Sequence, residues 1–219
     1  MTTIKELFDL EKTIAAGLFE GKTYPWEALA EISDYILRLG ETLSPEEFDH
    51  PAEGVWIAKD VKVFPSAYIG APCIIDHGAE VRHCAFIRGS AVVGKGAVVG
   101  NSTELKNVVL FDKVQVPHYN YVGDSILGYR AHMGAGSITS NVKSDKSLVV
   151  IKEPGHPVET GRKKVGAMLG DRVEVGCNSV LNPGTVVGRD TQIYPVSCVR
   201  GVIPENSIYK DAEHIVRKD

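Results

Sequence analysis

The sequence lacks the features of a membrane, secreted or metal-binding protein. No apolar run in its 219 residues approaches the length that crosses a bilayer, and acidic residues stand where a signal peptide would have a basic start. Its four cysteines form no CxxC pair and no metal-ligand spacing. We therefore expect a cytoplasmic protein whose cysteines are small, buried and reduced rather than paired in disulfides. They are Cys73, Cys84, Cys177 and Cys198.

The net charge and the apolar content argue against a nucleic-acid-binding protein and against a disordered one. A formal net charge of −4 gives no support for a nucleic-acid surface, although local basic clusters could still meet a small anionic substrate. Hydrophobic residues make up 43% of the chain, so a disordered polymer is not expected. The length fits one large domain, or one domain with a cap.

What the sequence does have is a six-residue repeat that starts near residue 55. Branched aliphatic residues recur six apart, and a small residue stands two positions before each of them. The first aliphatic positions are Ile57, Val63, Ile69, Ile75, Val81, Ile87, Val93, Val99 and Leu105. The spacing slips by one at Leu110 and again at Leu127, and it returns from Leu169 to Val199. A period this short predicts a β-solenoid in which three strand-and-turn units close a triangular coil, with about seven coils in all.

Two segments lie outside the repeat. Residues 1–50 carry apolar residues at helix-like spacing, with Pro25 in the first turn of a second helix, which predicts a short helical cap on one end of the stack. Residues 142–164 break the period and are rich in lysine and arginine, which predicts a long inserted loop with a functional role. The solenoid is then expected over residues 51–204, with a C-terminal tail at 205–219.

Three motifs in the middle of the chain carry a resemblance to a known family. They are Gly100-Asn-Ser-Thr-Glu-Leu-Lys-Asn, His118-Tyr-Asn-Tyr-Val-Gly-Asp and Gly134-Ala-Gly-Ser-Ile-Thr-Ser-Asn. Together they resemble the acetyltransferase half of the bifunctional glucosamine-1-phosphate N-acetyltransferase/uridyltransferases, which are hexapeptide-repeat acyltransferases. The later stretch at 161–171 is similar to the variant in archaeal-type sugar-1-phosphate nucleotidyltransferase/acetyltransferases. The resemblance covers roughly residues 85–208.

The resemblance implies a fold, an activity and partners. The fold would be a left-handed parallel β-helix, assembled as a homotrimer. The activity would be acetyl-CoA-dependent N-acetylation of a hexosamine 1-phosphate in nucleotide-sugar biosynthesis, with no metal required for acyl transfer. Residues 1–50 show no counterpart of the uridyltransferase domain, so we expect no uridyltransferase activity. A separate nucleotidyltransferase would then be a fitting partner.

By position, the resemblance assigns a role to each candidate site residue. His118 would be the general base, and Glu104 and Asn141 would complete the catalytic set. The residues assigned to the substrate are Arg88, Lys106, Tyr121 and His132, and those assigned to the coenzyme are Ala135, Cys177 and Arg200. This chain departs from the family pattern at three places: His132 stands where an asparagine is usual, Pro117 replaces a glycine, and Asn141-Val-Lys-Ser replaces an Asn-Tyr-Asp-Gly run.

The residue types fit this chemistry on their own terms. Attack of an amine on a thioester needs a base, and an imidazole gains and loses a proton near neutral pH. A sugar phosphate needs fixed cations, and Arg88 and Lys106 both directly follow inward residues of the repeat, one coil apart, so we expect them to stack. The glycine-rich turn at 134–136 could present backbone amides to the thioester oxyanion. We predict that the irregular middle of the repeat places His118 beside the two cations.

Two other interpretations stay open. Four histidines raise a metal-dependent hydratase of the γ-carbonic anhydrase type, since three histidines can hold zinc. They are His77, His83, His118 and His132. Gly123 stands where the third ligand would be expected, which weighs against this hypothesis. The altered sugar pocket also fits a non-catalytic trimeric module that binds a sugar nucleotide or partners a separate nucleotidyltransferase.

Overall fold

The six-residue units form short strands that stack in parallel into a three-sided prism, as shown by a computed structural model that describes residues 2–153 and 155–218. Position 154, in the predicted inserted loop, lies outside the described residues. The fold is a mainly β, left-handed parallel β-helix, so the predicted fold class is confirmed. The solenoid has about nine turns rather than the predicted seven, because strand pairing extends beyond the regular aliphatic spacing. Within the described part, no helix is long and apolar enough to span a bilayer.

The strands divide into three faces. Face 1 consists of Val55–Ala58, Cys73–Ile75, Ala91–Val93, Ala167–Leu169, Thr185–Val187 and Val202–Ile203. Face 2 consists of Lys62–Val63, Glu80–Val81, Val98–Asn101, Gln115–His118, His132–Met133, Glu174–Val175, Gln192–Ile193 and Ser207–Tyr209. Face 3 consists of Tyr68–Ile69, Phe86–Ile87, Ile138–Thr139, Val180–Leu181 and Cys198–Val199. Two longer strands, Glu104–Leu110 and Tyr121–Leu127, begin on face 3 and end on face 1.

The interior of the prism is a column of stacked aliphatic side chains. The inward residues of the repeat from Ile75 to Val199 are at most 3% exposed, and the small residues two positions earlier are buried as well. Val63 is 40% exposed because its coil stands at the end of the stack. The predicted inward positions from Ile75 to Val199 are therefore confirmed, whereas Ile57, Val63 and Ile69 in the first coil are less buried. Each coil is stabilised mainly by its two neighbours.

One antiparallel strand covers the edge of a single face at each end of the prism. Phe48–Ala52 pairs antiparallel with Val55–Ala58 of the first coil. At the other end, Ile215–Arg217 pairs antiparallel with Ser207–Tyr209 of the last coil. The solenoid therefore extends beyond the predicted end at residue 204, and part of the predicted tail is a strand. The sequence-based boundary was wrong because the regular aliphatic spacing ends earlier than the strand pairing does.

The N-terminal segment lies along the side of the prism rather than over its end. It contains two α-helices, α1 (Ile4–Leu7) and α2 (Ile32–Gly40). Between them are three 3-10 turns at Leu10–Lys12, Ala16–Phe19 and Pro25–Ala30. α2 packs against the strands of face 1, whose outward side chains are apolar and fully buried: Ile74, Val92, Val109, Ile126 and Met168. The predicted end cap is thus a side cover, because an apolar outer face must be removed from water.

The first predicted helix is broken because its backbone bonds to the prism instead of to itself. Leu7 O accepts a hydrogen bond from Asp171 N–H at 3.0 Å, and Lys12 O accepts one from Asp112 N–H at 2.9 Å. Carbonyls engaged in this way no longer continue an α-helical ladder. The apolar residues of this segment have helical spacing, but hydrogen bonds to the prism prevent a continuous α-helix.

Asp171 anchors this N-terminal segment to two coils. Its carboxylate accepts hydrogen bonds from Asp9 N–H and Tyr129 N–H, both at 2.9 Å, and lies 3.5 Å from Arg189 Nε. The side chain is almost fully buried, and this burial raises the pKa of the Asp171 carboxyl. Loss of the carboxylate would leave two N–H groups without their acceptor.

Replacing Asp171 with alanine should lower the free energy of unfolding by about 2–4 kcal/mol, because two buried donors lose their acceptor. The matched control is Asp190→Ala on the neighbouring coil. Asp190 pairs with Arg172 in a half-exposed ion pair, which should contribute under about 1 kcal/mol. Urea unfolding measures both variants. Equal losses would mean that Asp171 contributes no more than a surface ion pair.

The cysteines do not all occupy the predicted interior. Cys73 is buried, but the other three are exposed, so the prediction of buried cysteines is wrong for Cys84, Cys177 and Cys198. Cys84 takes a φ of 60° in a turn, and Cys198 points outward from face 3. All four are free thiols. Corners and outward positions of a solenoid tolerate many residue types, so the repeat alone does not bury them.

Candidate active site

Both slips of the repeat fall at one corner of the prism, where the chain turns from face 3 to face 1. In Glu104–Leu110 and Tyr121–Leu127 this turn is one residue shorter than in earlier coils, and the strand pairing continues on both sides of it. Asn107 and Asp124 adopt φ values of 55° and 49° to make the turn. We name this the Lys106 corner, which comprises Arg88, Lys106, Asn107, Asp124 and Asn141. The inserted loop leaves the prism from the same corner.

Asp124 is the hub of the polar contacts at the Lys106 corner. Its carboxylate is 2% exposed and accepts hydrogen bonds from Lys106 Nζ at 3.0 and 3.1 Å. It also accepts from Asn107 Nδ2 at 3.0 Å and from Asn141 Nδ2 at 2.5 Å. The charge of Lys106 is therefore balanced within the corner. Sequence reasoning missed Asp124, although the second slip of the repeat lies on it.

Arg88 and Lys106 lie in register on adjacent coils, as the sequence predicted. Arg88 Nη1 donates to Glu104 Oε1 at 2.9 Å, and this carboxylate raises the pKa of the Arg88 guanidinium. Asn141 Nδ2 donates to the Tyr121 hydroxyl at 3.2 Å. Burial, together with nearby carboxylates, raises the pKa of Tyr121. The phenol therefore keeps its proton at neutral pH and can donate it to a ligand on face 3.

His118 lies at the neighbouring corner, between faces 2 and 3, with its side chain exposed. The backbone N–H of His118 donates to Asn120 Oδ1 at 3.1 Å, and the backbone carbonyl of His118 accepts from Gly136 N–H at 3.0 Å. The buried Asn120 side chain also donates to Gly134 O at 2.9 Å. These bonds fix the backbone of His118 to the glycine-rich turn of the next coil. Asn120 was part of the His118 motif but was not predicted to position His118, because its hydrogen bonds depend on the turn geometry.

The coenzyme candidates Ala135 and Cys177 lie at the same corner as His118, on the two following coils. The pairing of the strands places Ala135 beside His118 at the coil spacing, roughly 4.8 Å. Gly134 N–H and Gly136 N–H are engaged by backbone carbonyls, whereas Ala135 N–H donates to no backbone carbonyl within residues 2–153 and 155–218. The Ala135 amide is thus the donor of this turn that could meet a thioester oxyanion.

The candidate residues His132 and Arg200 lie apart from the residues with which they were predicted to act. His132 is on face 2, where its Nδ1 lies 2.7 Å from Glu174 Oε2, in a cleft of about 310 Å³ that also includes Cys177. Arg200 lines a different cleft of about 350 Å³ beneath the inserted loop. Within a single copy of the chain, His132 and the coenzyme candidate Cys177 line the same cleft. Arg200 and Ala135 do not share a cleft.

Face 3 separates His118 from the cations. Lys106 stands opposite Gly123, and the chain from His118 to Gly123 spans at most roughly 16 Å at about 3.3 Å per residue, since it turns at Tyr119. Tyr121 and Glu104 lie on the face between the two corners. Both slips of the repeat belong to the Lys106 corner and therefore do not themselves position His118, so a place for His118 beside the cations stays a prediction. A ligand placed across face 3 could still reach both corners.

The histidines considered for zinc are engaged separately. His77 Nδ1 lies 2.9 Å from Asp76 Oδ1, and His83 Nδ1 lies 2.9 Å from Ser66 Oγ. His132 is paired with a carboxylate on face 2, as described above. Across residues 2–153 and 155–218, no group of three or more His, Cys, Asp or Glu side chains is arranged to hold a metal ion.

Known proteins share the repeat region of this chain. The family model of the GMPPB C-terminal domain matches residues 69–215. The bifunctional protein GlmU of Methanococcus maripaludis is 33% identical over 135 residues, which are 61% of this chain and 33% of that protein. The bifunctional sugar-1-phosphate nucleotidylyltransferase/acetyltransferase of Sulfurisphaera tokodaii is 30% identical over 156 residues, 71% and 39% of the two chains. The chain thus spans about a third of the length of these curated relatives, and the resemblance noted in its motifs is confirmed.

Two solved structures are similar at low identity. The polySia-specific acetyltransferase NeuO aligns with a TM-score of 0.45 at 11% identity, over 76% of this chain and 88% of that chain. A mutant of perosamine N-acetyltransferase from Caulobacter crescentus, in complex with CoA and GDP-perosamine, aligns with a TM-score of 0.35 at 15% identity. That alignment covers 75% of this chain and 57% of the other. At these scores the similarity carries no functional argument.

Proposed function

This chain belongs to the GMPPB C-terminal domain family, and from that premise we propose that it is an acetyl-CoA-dependent N-acetyltransferase acting on a phosphorylated amino sugar. The observation that carries the proposal is at one corner of the prism. His118, whose side chain is exposed, and Ala135, whose amide donates to no backbone carbonyl of the described residues, lie on adjacent coils with their backbones roughly 4.8 Å apart along the stack. Acyl transfer needs a base and an oxyanion donor next to each other.

The chemistry follows from this pair. The lone pair of the substrate amine attacks the thioester carbonyl carbon, and a C–N bond forms while His118 takes the amine proton. The Ala135 N–H donates a hydrogen bond to the oxyanion that develops. Collapse of the tetrahedral intermediate expels the thiolate of coenzyme A, which takes the proton from the His118 imidazolium. The products are an amide and a free thiol, with no metal in the step.

The proposed substrate contains a hexosamine 1-phosphate unit that lies across face 3. Its amine would point to His118 and its phosphate to the Lys106 corner, where Arg88 offers an exposed guanidinium. Tyr121 supports this placement because it retains a hydroxyl proton on the face between the two corners. Glu104 and Asn141, proposed catalytic partners, hold Arg88 and Tyr121 by hydrogen bonds.

The coenzyme site supports a homotrimer. Ala135 and Cys177 lie at one corner of the prism, while Arg200 lies across face 3 at another. A second copy could bring its Arg200 to the Ala135 corner of the first, which would complete a coenzyme site between neighbouring prisms. We propose this arrangement, in the cytoplasm, with a separate nucleotidyltransferase as a partner to test.

Release of coenzyme A thiol tests the function, with glucosamine 1-phosphate and galactosamine 1-phosphate as acceptors. Arg88→Gln should raise KM for the acceptor about tenfold or more, because a charge-assisted contact to phosphate is lost. Arg82→Gln is the matched control, because Arg82 also follows an inward residue and pairs with a carboxylate, Glu80, but on another face. Binding of a sugar phosphate with no thiol release would instead favour a non-catalytic module.

A further inference from the structure

The inserted loop returns to the prism through three consecutive cations, Arg162, Lys163 and Lys164. They line one side of a cleft of about 510 Å³, which we name the Arg162 cleft. Its other lining residues come from the N-terminal segment and from the Lys106 corner: Leu29, Ala30, Lys106, Asn107, Asp124 and Gly161. Three separate parts of the chain therefore meet around this basic cleft.

The returning loop is fixed in place directly after the cations. Val165 N–H donates to Asn141 O at 3.1 Å, and Gly166 N–H donates to Asp124 O at 2.8 Å. A Cβ at Gly166 would stand 2.2 Å from Gly123 O, so only glycine allows this close approach. The opposite wall is tied as well, because Asn107 Nδ2 donates to Leu29 O at 3.1 Å. Hydrogen bonds therefore hold both walls of the cleft in place.

The charge of the Arg162 cleft is strongly positive. Asp124 is the acidic residue that lines it, and both of its oxygens already accept from Lys106. That pair is neutral, so three cations remain. Lys163 and Lys164 are exposed, and the buried Nε of Arg162 has no hydrogen-bond partner in the described part of the chain. An unpartnered buried donor beside two solvent-facing lysines is suited to an anion.

The cleft also continues the substrate path of the proposed function. Along one coil the order is His118, then Tyr121 on face 3, then the Lys106 corner, and then the Arg162 cleft. A sugar with its amine at His118 and its first phosphate at the Lys106 corner would direct its next group into the cleft. We propose, on the basis of that function, that the acceptor is a nucleoside-diphosphate amino sugar whose second phosphate binds Arg162, Lys163 and Lys164.

Coenzyme A also carries a diphosphate, and the position of the cleft distinguishes the two sources. The thioester must reach His118 and Ala135, which lie at the opposite edge of face 3 from the cleft. The acceptor, in contrast, extends from His118 toward the Lys106 corner in the proposed placement. The geometry therefore favours the diphosphate of the acceptor over that of the coenzyme.

Steady-state kinetics with Lys163→Gln/Lys164→Gln tests the assignment. The double variant should raise KM for a UDP- or GDP-linked amino sugar about tenfold or more, while KM for the hexosamine 1-phosphate and for acetyl-CoA changes less than about twofold. Lys146→Gln, in the same loop but outside the cleft, should change none of the three. A rise in KM for acetyl-CoA alone would assign the cleft to the coenzyme and overturn the proposal.

Calorimetry keeps this test separate from the proposed function. Wild-type protein should bind inorganic pyrophosphate about tenfold or more tightly than inorganic phosphate, and the double variant should lose that preference. Lys163→Arg/Lys164→Arg should retain it, because the charge is preserved. If thiol release fails with every acceptor but pyrophosphate binding follows this pattern, the acetyltransferase proposal fails and the diphosphate site stands. Equal pyrophosphate affinity in wild type and the Gln variant overturns the site itself.

Discussion

Replacing His118 with alanine should lower kcat for acetyl transfer by roughly 10²–10⁴-fold, the usual contribution of a positioned general base. The amine must lose a proton as it attacks, and His118 is the exposed imidazole beside the Ala135 amide. KM for the acceptor should change little, because the phosphate contacts lie across face 3. The measurement is thiol release at saturating acetyl-CoA.

His83→Ala is the matched control for this variant. His83 is an exposed histidine at the same corner, two coils away, where its ring bonds to Ser66. Its removal should leave kcat within about twofold. Because His118 is exposed, His118→Ala should fold normally, and its circular dichroism spectrum can verify this. Unchanged turnover in a folded His118→Ala protein would rule out the assigned mechanism.

The largest expected effect on stability follows from the buried outer surface of face 1. Replacing Val109 with lysine should lower the free energy of unfolding by about 3–5 kcal/mol, because an unpaired charge would enter an apolar interface. Val109 is fully buried between the strand and the N-terminal segment. For a chain of this length the melting temperature should fall by about 6–20 °C.

Gln115→Lys provides the comparison on the same coil. Gln115 points outward from face 2 and is exposed, so a lysine there should change the free energy of unfolding by less than about 0.5 kcal/mol. Thermal and urea unfolding of the two variants compare the faces directly. If both variants melt like the wild type, the N-terminal segment does not bury face 1 in solution.

The prism itself could be predicted from sequence because each repeat unit shows the residue pattern that its own strand and turn need. Each unit must fit an aliphatic residue and a small residue inside a narrow coil, and each coil depends mainly on its neighbours. The cover on face 1 was harder to predict. Apolar outward residues such as Val92 and Ile126 indicated a covered face, in contrast to Gln115 on face 2. Which segment covers them depends on contacts far apart in the chain, such as Asp171 with Asp9.

Part of the candidate site could likewise be predicted from sequence, and part of it could not. The stacking of Arg88 and Lys106 followed from their equal position in successive coils. Asp124, which neutralises Lys106, was not found because its direction depends on the backbone through a shortened turn. The Arg162 cleft was foreseen only as a basic loop, since a broken period carries no information on where the loop returns.

The reversed strands at the two ends set the size of the molecule. A parallel β-helix has no natural length, because each finished coil exposes an edge that can template another strand from any neighbouring molecule. Here Phe48–Ala52 and Ile215–Arg217 run against the direction of the stack. A second molecule adding a coil in the parallel direction would have to displace them. Each antiparallel strand therefore removes one of the edges at which a neighbouring molecule could extend the stack.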